Sequence, residues 1–168
     1  MARKDGIFRA LDTVGNGSGT INAVGDYSTT AQSFRISDTS GRGIIHRIIV
    51  SYRDSGAFDT ELYGNGIALT NGVRVFLKDS SDQIIQEYTA FPIKSNGDWA
   101  AHCYDWTYFQ EGAGDNYAAI RWTFSKSGKP VTVKFHEGEY FEVLLNDDFS
   151  GLIEHKFVVQ GHYARREE

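Results

Sequence analysis

From Tyr27 onward the chain alternates apolar and polar residues with a period of two, in one short segment after another. Residues 44–53 place Ile44, His46, Ile48, Val50 and Tyr52 on one face and Ile45, Arg47, Ile49, Ser51 and Arg53 on the other. Val73, Val75 and Leu77 alternate with Arg74, Phe76 and Lys78. Beyond the polar turn Asp79-Ser80-Ser81-Asp82 the chain resumes as Ile84, Gln86 and Tyr88 against Ile85, Glu87 and Thr89, which reads as a hairpin. Ile120, Trp122 and Phe124 alternate with Arg121 and Thr123, and the loop 125–130 leads into Val131, Val133 and Phe135 as a second hairpin. Phe141, Val143 and Leu145 make a further strand. A long last one runs from Leu152 to about Tyr163, with Ile153, Phe157, Val159 and Tyr163 on its apolar face. A period of two means one buried and one wet face.

Helical spacing appears once. Asp98 is placed to cap a turn on which Trp99, Cys103 and Trp106 share a face. Residues 1–26 lack either period, and Val14-Gly15-Asn16-Gly17-Ser18-Gly19-Thr20 offers little to bury. The pattern predicts an all-β fold: a two-sheet antiparallel β-sandwich, wound as a jelly roll, over residues 27–168, with a flexible, extended N-terminal arm over residues 1–26.

Composition agrees with that class. The 168 residues are 40% hydrophobic and 23% charged, enough for one domain with its own core. Aromatics at 14% and 18 glycines suit short strands joined by tight turns. The net charge of −5 disfavours nucleic acid as a partner. No run approaches the roughly 18 apolar residues of a membrane helix, and no apolar stretch of a secretion signal follows the basic start. Cys103 is the single cysteine, so neither an intrachain disulfide nor a thiolate zinc cluster can form.

Catalytic chemistry is sparse. His46, His102, His136, His155 and His162 include no His-x-His pair and no helical i, i+4 pair, so no metal site is expected. His46 and His155 sit among apolar neighbours and read as satisfied core or interface histidines. The run His102-Cys103-Tyr104-Asp105 is a weak case for thiol catalysis, because such pairs meet through the fold and seldom as neighbours in sequence. Glu137 and Glu139 flank Gly138 and read as a turn, and Asn146-Asp147-Asp148 reads as a polar loop or at most a weak calcium corner. Asn71-Gly72 demands a reversal with positive φ. Trp99, Tyr104, Trp106, Tyr108 and Phe109 crowd into one stretch, either as a buried interface cluster or as an exposed platform for sugar stacking. In the arm, Arg3, Lys4 and Arg9 supply positive charge, and Phe8 and Leu11 supply apolar anchors.

Two stretches carry a resemblance. Glu61-Leu62-Tyr63-Gly64 with Leu69-Thr70-Asn71-Gly72-Val73, and Pro92-Ile93-Lys94-Ser95-Asn96-Gly97-Asp98-Trp99 continuing to Cys103-Tyr104-Asp105, resemble the jelly-roll cement, or decoration, proteins on the heads of short-tailed bacteriophages. The resemblance spans about residues 40–163. It implies a non-enzymatic virion protein, made in the host cytoplasm, that binds the outside of an icosahedral head and ties major capsid subunits together. It also implies self-association as a homodimer or homotrimer, with no cofactor. The arm lies outside the resemblance; its own basic and apolar residues Arg3, Lys4, Phe8, Arg9 and Leu11 make it the natural clamp on a capsid surface. The alternative from the aromatic stretch is a carbohydrate-binding module that recognises a host-surface glycan.

Overall fold

The computed structural model describes residues 7–9, 12–13, 21–37, 43–54, 62–63, 68–102, 105–111, 115–123, 125–126, 129–130, 133–134 and 138–163. Numbered along the chain, the strands are β1 (Ile7–Arg9), β2 (Asp12–Thr13), β3 (Ile21–Asn22), β4 (Gln32–Ser37), β5 (Gly43–Asp54), β6 (Val73–Lys78) and β7 (Ile84–Glu87). The helix α1 (Asn96–His102) follows, then β8 (Asp105–Glu111), β9 (Asp115–Thr123), β10 (Ser125–Lys126), β11 (Lys129–Pro130), β12 (Val133–Lys134), β13 (Tyr140–Leu145) and β14 (Glu154–Tyr163).

Two antiparallel sheets pack face to face as the alternation requires. One has the order β1-β14-β5-β9-β8, with β3 also on β14 and β12 on β5; the other runs β2-β4-β13-β6-β7. The core between them is built from every second residue. Phe34 and Ile36, Val73, Val75 and Leu77, and Phe141, Val143 and Leu145 come from one sheet. Ile48, Val50 and Tyr52, Ala118, Ile120 and Trp122, and Phe157 and Val159 come from the other. Burying such side chains supplies roughly 1.5–3 kcal/mol each.

The strand order interlocks. β4 pairs β13 in one sheet, while the next strand of each, β5 and β14, pair in the other. A jelly roll nests its strands, first with last, so this order lends the expected jelly-roll winding no support. The sandwich itself is as expected.

Several local expectations shift. On β5 the alternation slips: Ile48, Val50 and Tyr52 face the core, but so does Ile45, while His46 is only half-buried. The cause is a β-bulge, for the register jumps from Gln160↔Arg47 to Gly161↔Ile45 and leaves His46 as the extra residue. At the start of the last strand Leu152 is buried and Ile153 exposed, the reverse of a continued alternation, because β14 begins only at Glu154. The loop 125–130 itself forms the β10–β11 hairpin, and β12 pairs with β5.

The helix starts three residues earlier than a cap at Asp98 would place it, at Asn96 with Ser95 as the cap. Ser95 Oγ accepts the Asp98 N–H at 3.1 Å, and Asp98 Oδ2 accepts the N–H groups of Lys94 at 2.8 Å and Ser95 at 3.0 Å, a reciprocal cap. Trp99 lies on this helix, Cys103 is outside the described residues, and Trp106 belongs to β8, so the three share no helical face.

The segment read as an arm joins the sandwich where it is described. β1 pairs β14, β2 pairs β4 of the opposite sheet, and β3 returns to β14. Phe34 of β4 and Phe157 of β14 stack at 6.1 Å, so these two edges face each other. The three described strands β1, β2 and β3 therefore line one lateral side of the sandwich.

Candidate functional site

The two stretches that carry the resemblance meet in one buried corner. Val73 and Ile93 exchange both backbone hydrogen bonds at 2.9 Å, and the Asn96 N–H donates to Leu62 O at 3.2 Å. Tyr63 and Trp99 are fully buried with ring centroids 6.3 Å apart, and Trp99 meets Trp122 edge-on at 6.5 Å. Tyr63 stacks on Tyr52 at 5.1 Å, and the Tyr52 hydroxyl donates to Asn96 Oδ1.

At the centre of this corner lies His155, also fully buried. Its Nδ1 is 3.2 Å from Ala23 O and its Nε2 is 2.8 Å from the Tyr63 hydroxyl. Only one tautomer satisfies both partners: Nδ1–H donates to the carbonyl and Nε2 accepts from the phenol. Burial pushes the imidazole down to about 3, partly offset by the Ala23 bond, so it is neutral at physiological pH. The Ala23 N–H returns a bond to His155 O at 2.6 Å, which ties the end of the N-terminal segment to the core. His155 is thus the satisfied core histidine expected. With no exposure it can orient and anchor, but it cannot reach a substrate.

Asp147 is a structural carboxylate rather than a loose polar loop. It is buried, and its oxygens accept the N–H groups of Thr70 at 2.9 Å, Asn71 at 2.8 Å and Gly72. Gly72 sits at φ +75°, where a Cβ would collide with the Ile93 carbonyl, so Asn71-Gly72 is the positive-φ reversal expected. The partners lie about 75 residues from Asp147, so no local signal could announce them. Glu142 is buried on the outer face of β13, held by Lys78, by Arg35 at 3.6 Å and by the Ser33 hydroxyl. Beside it Phe76 is buried beneath Arg74 and Lys78, whose cations lie 4.8 and 5.3 Å from the ring centroid. Gly138, at φ +83°, makes the turn expected before β13; Glu139 follows it, and Glu137 lies outside the described residues. Among the described residues no group of three or more His, Cys, Asp or Glu could hold a metal ion, and no helix is long and apolar enough to cross a membrane.

The remaining site residues divide by position. Phe8 and Arg9 lie in β1 opposite Gly161 and Gln160, while Arg3, Lys4 and Leu11 lie outside the described residues. Trp106, Tyr108 and Phe109 hold register positions on β8 opposite Ile120, Ala118 and Tyr117, and Tyr104 lies outside the described residues. The structure thus brings Trp99 to the buried corner and spreads the other described aromatics along a sheet edge.

A feature the alternation did not predict is the state of β7. It ends its sheet, and instead of one buried and one wet face, Ile84, Ile85 and Gln86 are all exposed, the two isoleucines at 55% and 49%. The register jumps from Leu77↔Gln86 to Lys78↔Ile84 and leaves Ile85 as a bulge. Two adjacent isoleucines between Gln83 and Gln86, which break the alternation, were the available hint.

No known protein family, no curated protein and no solved structure matches the chain.

Proposed function

We propose that this chain is a non-enzymatic structural protein that decorates the outside of an icosahedral phage head and ties neighbouring major capsid subunits together. The observation that supports this reading is the corner formed by Tyr63, Gly72, Ile93, Asn96 and Trp99. Residues that carry the resemblance and lie far apart in sequence converge there into one packed unit. They fix the fold and leave the outer faces and edges to make contacts. Three buried chemistry-bearing side chains are spent on structure: His155 on Ala23 and Tyr63, Asp147 on a turn, and Glu142 on Lys78 and Arg35. A glycan platform needs exposed rings, and Trp99 is fully buried.

The test is co-sedimentation of the full chain with DNA-free shells of short-tailed phages, beside variants lacking residues 1–9 or carrying Phe8→Ser. Truncation must stop short of Ala23, whose removal would open the core at His155. Binding to shells that falls in the shortened chain supports a clamp in the N-terminal segment. A full chain that stays in the supernatant over a range of salt and shell sources overturns the reading.

A further inference from the structure

Charge along the β1-β14-β5-β9-β8 sheet is sorted by strand end. Where β5 starts and β9 and β14 finish, the cations are Arg9 of β1, Arg47 of β5, Arg121 of β9, Lys126 of β10, Lys129 of β11 and Lys134 of β12. The registers bring them together. Arg9 stands opposite Gln160, which stands opposite Arg47, so the two arginines hold one row across β14. Arg121 lies one strand over, opposite Ile49. Lys134 pairs with Ile44 at the start of β5. The β10–β11 hairpin leaves β9 after Thr123 and returns to β5 through Val133, which keeps Lys126 and Lys129 at the same end. Among the described residues one carboxylate joins these rows, that of Asp105, opposite Arg121. The far end of the sheet instead carries Asp54, Glu111, Asp115 and Glu154 against Arg53 and Lys156. The cations are also used differently on the two sheets. On the second sheet Arg35 and Lys78 meet Glu142, and Arg74 forks onto Glu87 at 2.9 Å for each bond. Arg47 has no such partner among the described residues, and Ile49 and Val158 beside it are half-buried.

We infer that this basic end is a docking site for an acidic protein surface, with Arg47 as its anchor. Arginine next to aliphatic side chains is the composition of an interface centre. Six cations against one carboxylate make this end positive on a chain of net −5, so the rest of the molecule is more acidic than the whole. That polarity turns the basic end toward an acidic patch during encounter. It also selects the class of partner. Duplex DNA carries a charge about every 1.7 Å and would run on past this end against the acidic remainder. An acidic patch on a protein can stop where the basic end stops. The site suits any acidic protein surface, a phage shell included, and does not rest on the decoration reading.

The test is fluorescence anisotropy of the full-length protein with labelled poly-L-glutamate and, separately, a labelled DNA duplex of matched charge, in low salt and again at about 0.5 M salt. Lys129→Glu and Lys94→Glu give the chain the same net charge and differ only in place, since Lys94 adjoins the Val73–Ile93 bridge of the second sheet. The wild type is expected to bind polyglutamate despite its own negative charge and to release it in high salt. Arg47→Glu and Lys129→Glu should each bind at least about tenfold more weakly, and Lys94→Glu within about twofold of the wild type. Arg47→Gln, which removes the charge without reversing it, should fall between and keeps the result readable if Arg47→Glu lowers the melting temperature. A wild type that ignores polyglutamate overturns the proposal. Equal weakening by Lys129→Glu and Lys94→Glu would trace binding to net charge and overturn it too. Tighter binding to the duplex would assign the end to nucleic acid. Sedimentation of the free chain closes the last alternative: copies that associate in low salt and part in high salt would assign the basic end to the chain's own acidic end, which overturns it equally.

Discussion

The two lateral sides of this sandwich are finished in opposite ways. On one side the edges β14 and β4 face each other, and the N-terminal segment lays β1, β2 and β3 across both. That side is sealed by ring stacking between Phe34 and Phe157 and by the two hydrogen bonds between Ala23 and His155. On the other side β7 ends its sheet with Ile84, Ile85 and Gln86 exposed. The same alternating sequence code wrote both edges. What separates them is whether the chain had another segment to spend on the edge. A sheet edge left unpaired by its own chain is where a structural protein can accept a second chain.

Substitutions should therefore act very differently on the two sides. Phe157→Ala empties a fully buried site beneath the N-terminal staple and is expected to cost about 3–5 kcal/mol in a urea titration. A loss below about 1 kcal/mol would mean that the sealed side is loosely packed. Asp147→Ala strips three backbone N–H groups of their acceptor at the reversal through Gly72. It should cost about 2–4 kcal/mol, and Asp147→Asn, which keeps one acceptor oxygen, distinctly less.

A pH effect of intermediate size belongs to the sealed side alone. His155 titrates at about 3 when folded, against an ordinary 6.5. Between those values the unfolded chain binds a proton that the folded chain does not, so stability falls as pH drops through that window. Between pH 7 and pH 5 the contribution amounts to about 2 kcal/mol. It should be missing from His155→Gln measured by the same urea titration. On the open side Ile84→Ser should change monomer stability by less than about 0.5 kcal/mol. A larger loss would show that β7 contributes to the fold of the single chain.

Much of this was legible in the sequence. Period-two alternation marked the central strands, because a half-buried strand must alternate. Asn71-Gly72 marked the positive-φ reversal, since glycine alone tolerates it at little cost. Other features had no local cause. The slip that turns Ile45 inward is set by β14 across the sheet, and the role of Asp147 by a turn far back in the chain. The exposure of β7 depends on what does not pack on it. Alternation specifies which residues share a face, but it does not specify whether a second layer covers that face.

The central claim is that the chain seals one side of its sandwich and leaves the other available, and amide hydrogen exchange tests it most directly. In dilute protein the Ala23 N–H, bonded to His155 O, should exchange only with global unfolding. The Glu87 N–H, which points away from β6 at the β7 edge, should exchange freely in the same sample. An Ala23 amide that exchanges as fast as that of Glu87, or a Glu87 amide as protected as that of Ala23, would contradict the account.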